Sequence, residues 1–156
     1  MGKEIERKYL VKGDYKNMAY KSIPIKQGYI SVDNKRTVRV RITDKTAYLT
    51  IKGEQKGISR FEWEIEIALN DAEELFGLCS ENIIEKTRYL VKQGDYIIEV
   101  DEFSGRNTGL TLAEIELESE DDNPALPEWI GDEVSEDYRY HNSNLSIYPY
   151  TEWGNI

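Results

Sequence analysis

The chain has 156 residues, with 30 Asp and Glu against 20 Lys and Arg and a formal net charge of -10 at pH 7. That length suits one domain with a proper core, and that acidity argues against nonspecific binding to nucleic acid or to an anionic membrane. With Cys79 the only cysteine and His141 the only histidine, an internal disulfide and any zinc site built from several Cys or His side chains are excluded, so a metal must sit on carboxylates, as Mg2+, Mn2+ or Ca2+ do.

The first residues carry no apolar leader, and no apolar run approaches ~20 residues, so neither a signal peptide nor a transmembrane helix is expected and the cytosol is the natural compartment. Lys3–Val11 alternates, with Glu4, Glu6 and Lys8 two residues apart. On a helix these would splay over three faces; on a strand all three project from one face, where two carboxylates and an ammonium can hold a divalent metal beside a phosphate. Lys12–Ala19 fits a short helix. Ile23–Val32 reads as extended, with Pro24 marking an edge or a strand start.

A turn at 33–35 leads into Thr37–Thr43, where Val38, Val40 and Ile42 alternate with Arg39 and Arg41; Asp44-Lys45 then turns the chain into Ala47–Lys52, a hairpin. After a loop at 53–57, Ile58–Leu69 alternates Phe61, Trp63, Ile65 and Ile67 with Glu62, Glu64 and Glu66. Asn70, with Glu73 three residues on, reads as the cap of a short helix over Asp71–Cys79. Strands follow over Asn82–Lys92 and Tyr96–Phe103, then a loop carrying Gly105 and Gly109, then alternation again over Leu110–Ser119. Residues 120–124 break the pattern, Leu126–Val134 fits a small helix, and the tail from Ser135 is polar and tyrosine-rich. No repeat or linker divides residues 1–156, which read as a single domain.

The charged faces share one device, a like-sign pair at i, i+2. The acidic pairs are Glu4/Glu6, Glu62/Glu64, Glu99/Asp101 and Glu114/Glu116; the basic ones are Arg39/Arg41 and Lys86/Arg88, with Lys52 beside Thr50. Any single pair reads as the solvated face of an antiparallel sheet. Strand after strand of like-charge neighbours is a poor way to build such a face, because these neighbours repel unless something compensates them. The opposite faces (Val38/Val40/Ile42, Phe61/Trp63/Ile65/Ile67, Ile98/Val100, Ile115/Leu117) are apolar and expected to be buried. A sandwich or small barrel would turn them inward and the charges out; a wide barrel with helices outside would line its lumen with the charges. Periodicity alone does not choose.

The motifs do. Glu4-Ile5-Glu6-Arg7-Lys8 matches the ExExK signature of the CYTH superfamily, the triphosphate tunnel metalloenzymes. Gln27-Gly28-Tyr29-Ile30, Arg39-Val40-Arg41, Thr50-Ile51-Lys52, Glu62-Trp63-Glu64, Glu85-Lys86-Thr87-Arg88, Glu99-Val100-Asp101 and Glu114-Ile115-Glu116 follow in the family's order, and Tyr138-Arg139-Tyr140-His141-Asn142-Ser143-Asn144-Leu145 resembles the closing segment of its short bacterial members. ExExK alone is weakly specific; the ordered set, spanning essentially the whole chain, is highly specific.

The resemblance implies an α+β, mainly β fold: an eight-stranded antiparallel β-barrel forming a tunnel, with short helices packed outside. It implies Mg2+ or Mn2+ on Glu4, Glu6 and Glu116, with Glu114 close by, and a triphosphate on Lys8, Arg39, Arg41, Lys52, Lys86 and Arg88. Glu62, Glu64, Glu99 and Asp101 would hold a second metal, orient basic side chains or position water. Lys8, Tyr29 and Lys86 are the catalytic candidates, Lys86 because in some members the corresponding lysine pairs with the tyrosine matching Tyr29. Tyr29 otherwise reads as a stacked barrel residue.

The chain looks most like the short bacterial tripolyphosphatases, which hydrolyse inorganic triphosphate to pyrophosphate and phosphate. A class IV-type adenylate cyclase, an organic triphosphatase and a non-catalytic polyphosphate-binding module are the competing readings. A small-molecule triphosphate is the expected partner, and the oligomeric state is open. Cys79 and Trp63 are expected as packing residues, and His141 as a structural residue of the tail.

Overall fold

The computed structural model describes residues 2–79 and 83–155. Its strands are β1 (Lys3–Val11), β2 (Lys21–Asp33), β3 (Arg36–Thr43), β4 (Thr46–Gly53), β5 (Ser59–Ile67), β6 (Ile84–Gln93), β7 (Tyr96–Phe103), β8 (Thr111–Glu116) and β9 (Ile130–Glu133). The order β5-β4-β3-β2-β6-β7-β8-β1, with a further β5–β1 pairing, closes an eight-stranded antiparallel barrel. Closure falls on β1. Its residues Lys3–Ile5 pair with β5, and Glu6–Leu10 pair with β8.

Where β5 parts from it, the rest of β1 would be left with an unpaired edge. β9 fills that gap, pairing with Tyr9 and Val11. Residues 126–134, expected as a helix, instead make a turn at 128–129 that leads into β9: the free backbone groups of β1 offer a ladder that a lone helical turn could not satisfy. Lys12 N–H donates to the Trp129 carbonyl and Val134 N–H to the Lys8 carbonyl, at 2.9 and 2.8 Å.

Helices are few. α1 (Leu69–Leu75) starts one residue after Ala68, which occupies the cap position in place of Asn70 and offers no side-chain hydrogen bond. The helix begins almost as soon as β5 ends, so Asn70 and Asp71 fall in its first turn, where an acid suits the helix dipole. It stops at Leu75 and continues as a short 3-10 turn over Phe76–Leu78. The helix expected over 12–19 is a three-residue turn, Lys16–Met18, because Tyr15 is drawn into the core against Tyr89 and Trp129. Asn82, the expected start of a strand, lies outside the described residues. α2 (Asn142–Leu145) belongs to the tail. Among the described residues no helix is long and apolar enough to cross a membrane.

Strand alternation sends the like-sign pairs into the lumen and most apolar partners outward, the wide-barrel arrangement. The largest core lies outside the barrel wall, where Ile5, Ile98, Val100, Ala113 and Ile115 are covered by Tyr15, Trp129 and Ile130. A smaller one sets Ala72 of α1 on Val40 and Ala47. Gly28 permits a related contact: a Cβ there would stand 2.7 Å from Cys79 Sγ. Cys79 is thus a packing residue, its thiol pushed up by burial.

A third cluster is different. By strand parity Ile84, Phe103 and Leu112 face the same side as Lys86, Asp101 and Glu114, yet they are buried with Tyr29, Tyr140 and Leu145. They form an apolar stopper at one end of the lumen, completed by the tail. Each such side chain taken from water is worth about 1.5–3 kcal/mol, enough to hold the tail in place.

One expected burial is overturned. Phe61, Trp63 and Ile65 are 54%, 45% and 46% exposed. α1 reaches only the far end of β4 and β5, so the outer face of β5 has no cover there and Trp63 is not a core residue.

Candidate functional site

A polar cavity of about 260 Å3 occupies the lumen. β1 contributes Glu4, Glu6 and Lys8; β3 contributes Arg39 and Arg41; β4 contributes Lys52. Glu62 and Glu64 enter from β5, Lys86 and Arg88 from β6, Glu99 from β7, and Glu114 and Glu116 from β8. Tyr29 lines the cavity and also packs in the stopper, as expected of a stacked barrel residue. Asp101 alone stands behind the lining: Arg88 holds its carboxylate with two hydrogen bonds at 2.7 and 2.9 Å, and Lys86 Nζ lies 2.8 Å from its Oδ2. With both oxygens engaged, Asp101 orients basic side chains. Arg88 and Lys86 outweigh its burial and hold it down to about 2.

The basic residues are directed by hydrogen bonds and ion pairs within the lumen. Arg39 donates from one terminal nitrogen to Thr50 Oγ1 at 3.3 Å and pairs with Glu64 at 3.6 Å. Its Nε is buried with no hydrogen-bond partner among the described residues. A buried guanidinium N–H without a partner favours an anionic oxygen as its acceptor. Arg41 donates from Nε to Gln27 Oε1 at 3.0 Å. Burial, then the neighbouring Arg39 and Arg88, bring Arg41 down to about 9, still protonated at neutral pH. Lys86 is brought down to about 7, by burial first and by Arg88 and Arg41 besides, against the pull of Asp101.

The acidic residues cluster on β1, β5 and β8. Glu4 accepts from Lys52 Nζ at 2.7 Å, and this partner outweighs burial, so Glu4 sits below its ordinary range. Burial pushes Glu6 well above that range, with Glu114 and Glu4 adding to the push. Glu114 goes well below it: burial opposes, but Lys8, the hydrogen bond from Glu6, Arg88 and Lys86 prevail. Glu62, Glu99 and Glu116 are all raised, chiefly by burial.

The donor set fits a hard divalent cation held jointly with a substrate. Glu6 and Glu114 are in hydrogen-bond contact, and burial raises Glu6, so such an ion would compete with a proton there. Among the described residues no three candidate ligands converge into a ready-made cage. Mg2+ is usually bound through one or two carboxylates plus phosphate oxygens and water, not in an all-protein cage, and Mn2+ takes the same oxygen ligands.

Sequence reasoning missed the tail's part in this site. His141 and Asn142 line the cavity, although His141 was expected as a structural residue of the tail. Burial, then Lys8 and Arg60, bring His141 down to about 3, so it is neutral. Lys8 Nζ donates to the Tyr140 carbonyl at 3.2 Å, and its backbone N–H to Ser135 Oγ at 2.9 Å. Gln27 is fully buried at the lumen face of β2, flagged in the sequence only as part of a motif. Past Arg60 and His141 the cavity meets a cleft that also holds Glu54, Glu136 and Tyr138. Past Glu99 and Glu116 it meets another that holds Asp95 and Glu118.

Comparison with known proteins agrees with this geometry. The CYTH domain profile matches residues 2–148. An inorganic triphosphatase of Acetivibrio thermocellus is 49% identical over 152 residues, covering 96% of this chain and 97% of that protein. One of Nitrosomonas europaea is 37% identical over 148 residues, covering 92% and 97%. The crystal structure of an inorganic triphosphatase superposes with a TM-score of 0.67 at 34% identity, over 92% of this chain and 97% of the other.

Proposed function

The chain belongs to the CYTH domain family, and on that premise we propose that it hydrolyses inorganic triphosphate to pyrophosphate and phosphate with Mg2+ or Mn2+, in the cytoplasm. The observation that carries the substrate class is the convergence of Lys8, Arg39, Arg41, Lys52, Lys86 and Arg88 on one lumen, where the Arg39 Nε has no hydrogen-bond partner among the described residues. A triphosphate carries four or five negative charges and needs several cations; the arginines suit forked recognition of its oxygens and the lysines act as point charges.

Glu6 and Glu114, with Glu4 and Glu116, would hold the metal ion, which supplies charge neutralisation and polarisation of the phosphoryl oxygens. The chain's own residues do the rest. Arg39, Arg41, Lys52 and Arg88 bind and orient the phosphates. Lys8, fixed by the Tyr140 carbonyl, reaches the substrate from the metal side of the lumen. Asp101 aims Lys86 and Arg88.

Lys86 receives a proton. Its nitrogen directs hydrogen bonds to Asn142 Oδ1 and Asp101 Oδ2, so in the neutral amine the remaining position is a lone pair. Water attacks the terminal phosphorus in line, the bridging P–O bond breaks, its electrons leave with the pyrophosphate oxygen, and the water's proton passes to Lys86. Tyr29 lines the same cavity, where its hydroxyl would help to hold the attacking water.

Phosphate release from tripolyphosphate, pyrophosphate, ATP and thiamine triphosphate, each with Mg2+ and with Mn2+, tests this reading. Turnover of tripolyphosphate above the others is expected. Efficient cleavage of an organic triphosphate with tripolyphosphate left intact would overturn it.

A further inference from the structure

Asn142 opens α2 with its side chain in the lumen. An asparagine at a helix start ordinarily caps the helix. Here His141 holds the cap position and no side chain caps the helix, so the carboxamide of Asn142 serves elsewhere. Its Oδ1 accepts two hydrogen bonds, from Lys86 Nζ and from Gln27 Nε2, both at 2.9 Å. Gln27 is fully buried, and its own oxygen accepts from Arg41 Nε at 3.0 Å.

One neutral oxygen on the tail thus ties together two lumen cations from different strands, Arg41 of β3 and Lys86 of β6. Apolar anchors on both sides, Tyr140 and Leu145, hold that oxygen in place within the stopper. The residue type suits the task. A carboxylate there would add charge facing a polyanion, and a side chain with no acceptor would free a flexible lysine stem.

We propose that Asn142 is a positioning residue of the hydrolysis: its carboxamide oxygen aligns Lys86 and, through Gln27, Arg41 against the triphosphate. This rests on the triphosphatase reading above. A misaligned proton acceptor depresses turnover more than affinity, because alignment is realised mainly in the transition state.

The test compares tripolyphosphate kinetics and melting temperature for the parent, Asn142→Ala and Asn142→Asp. Asn142→Ala should lose about tenfold or more in kcat while KM moves by less than about threefold, with little change in melting temperature. Asn142→Asp keeps an acceptor oxygen, but its charge beside Lys86 favours the ammonium, so most of kcat should return only on the alkaline side of a Lys86 titration moved to higher pH, with KM raised by repulsion of the substrate. Asn142→Ala kinetics within about twofold of the parent would overturn the proposal, as would equal kcat losses in both variants with a parallel fall in melting temperature. If the alanine variant fails to fold, the pH profile of Asn142→Asp decides alone: kcat recovered at high pH with KM raised supports the role, and kcat lost at every pH overturns it. A parent inert to every triphosphate would bring down the functional reading and this proposal together; an active parent matched by Asn142→Ala would bring down this proposal alone.

Discussion

Glu6 and Glu114 stand diagonally across the β1–β8 ladder, where Glu6 is opposite Glu116 and Lys8 opposite Glu114, and one hydrogen bond joins their carboxyl groups. The pair splits: burial raises Glu6, while Glu114, against its burial, is lowered by Lys8, Arg88 and Lys86, so a proton shared by the pair resides on Glu6.

Glu6→Gln should therefore uncouple stability from function. The amide N–H can replace the shared proton without titrating. Glu6 has a raised folded-state value, so the wild type loses stability as pH climbs from the ordinary carboxylate range through that value. Glu6→Gln should melt a few degrees higher than the parent at neutral pH without metal, while tripolyphosphate hydrolysis falls by about 100-fold or more. Calorimetric scans and phosphate release read the two effects; a lower melting temperature would contradict the shared proton.

The scarcity of preformed ligands makes metal and substrate mutually dependent. Titration of Mn2+ into the protein alone should show weak binding, and a non-hydrolysable triphosphate should tighten it by about tenfold or more, the reciprocal gain appearing for the analogue. Chelation should abolish turnover. Equally tight Mn2+ binding with and without the analogue would mean that an all-protein cage exists.

Arg39 offers a test of fork geometry. Arg39→Lys keeps the charge but loses the Nε–H, and a charge-assisted hydrogen bond is worth about 1.5–3 kcal/mol. KM for tripolyphosphate should rise by about tenfold or more, since about 1.4 kcal/mol is one factor of ten. An unchanged KM would show that Arg39 acts as a point charge only.

The position of Lys86 near 7 gives a pH signature. Below that value its nitrogen is an ammonium and cannot take a proton; above it the lone pair is free. With metal in excess, kcat/KM, which reports the free enzyme, should rise with pH through about 7. A fall across that window would confine Lys86 to charge neutralisation.

The barrel and its charged lumen are legible in the sequence because both are written in period two. Arg39/Arg41, Lys86/Arg88 and Glu114/Glu116 announce a shared face that needs compensation, and the family motifs say which face is inside. Alternation does not say what covers the outside, so Phe61, Trp63 and Ile65 looked like core although no helix reaches them. β9 is four residues long and includes Gly131, too short for any periodic signal; only the stranded edge of β1 explains it. Asn142 meets Gln27 across 115 positions of chain, a contact that no local pattern encodes.

The closure of the barrel on β1 also sets the order in which the site is assembled. Glu4, Glu6 and Lys8 are made first, yet β8, β9 and the tail that complete their surroundings emerge more than a hundred residues later. Such distant pairings close slowly, and loop-closure entropy opposes them until the late strands exist. During synthesis the nascent chain therefore carries the unpaired carboxylates of its first strand without a lumen around them. The metal-binding face is completed only when β8 joins β1, and the tail contact to Lys8 comes later still, so the site is assembled late in folding.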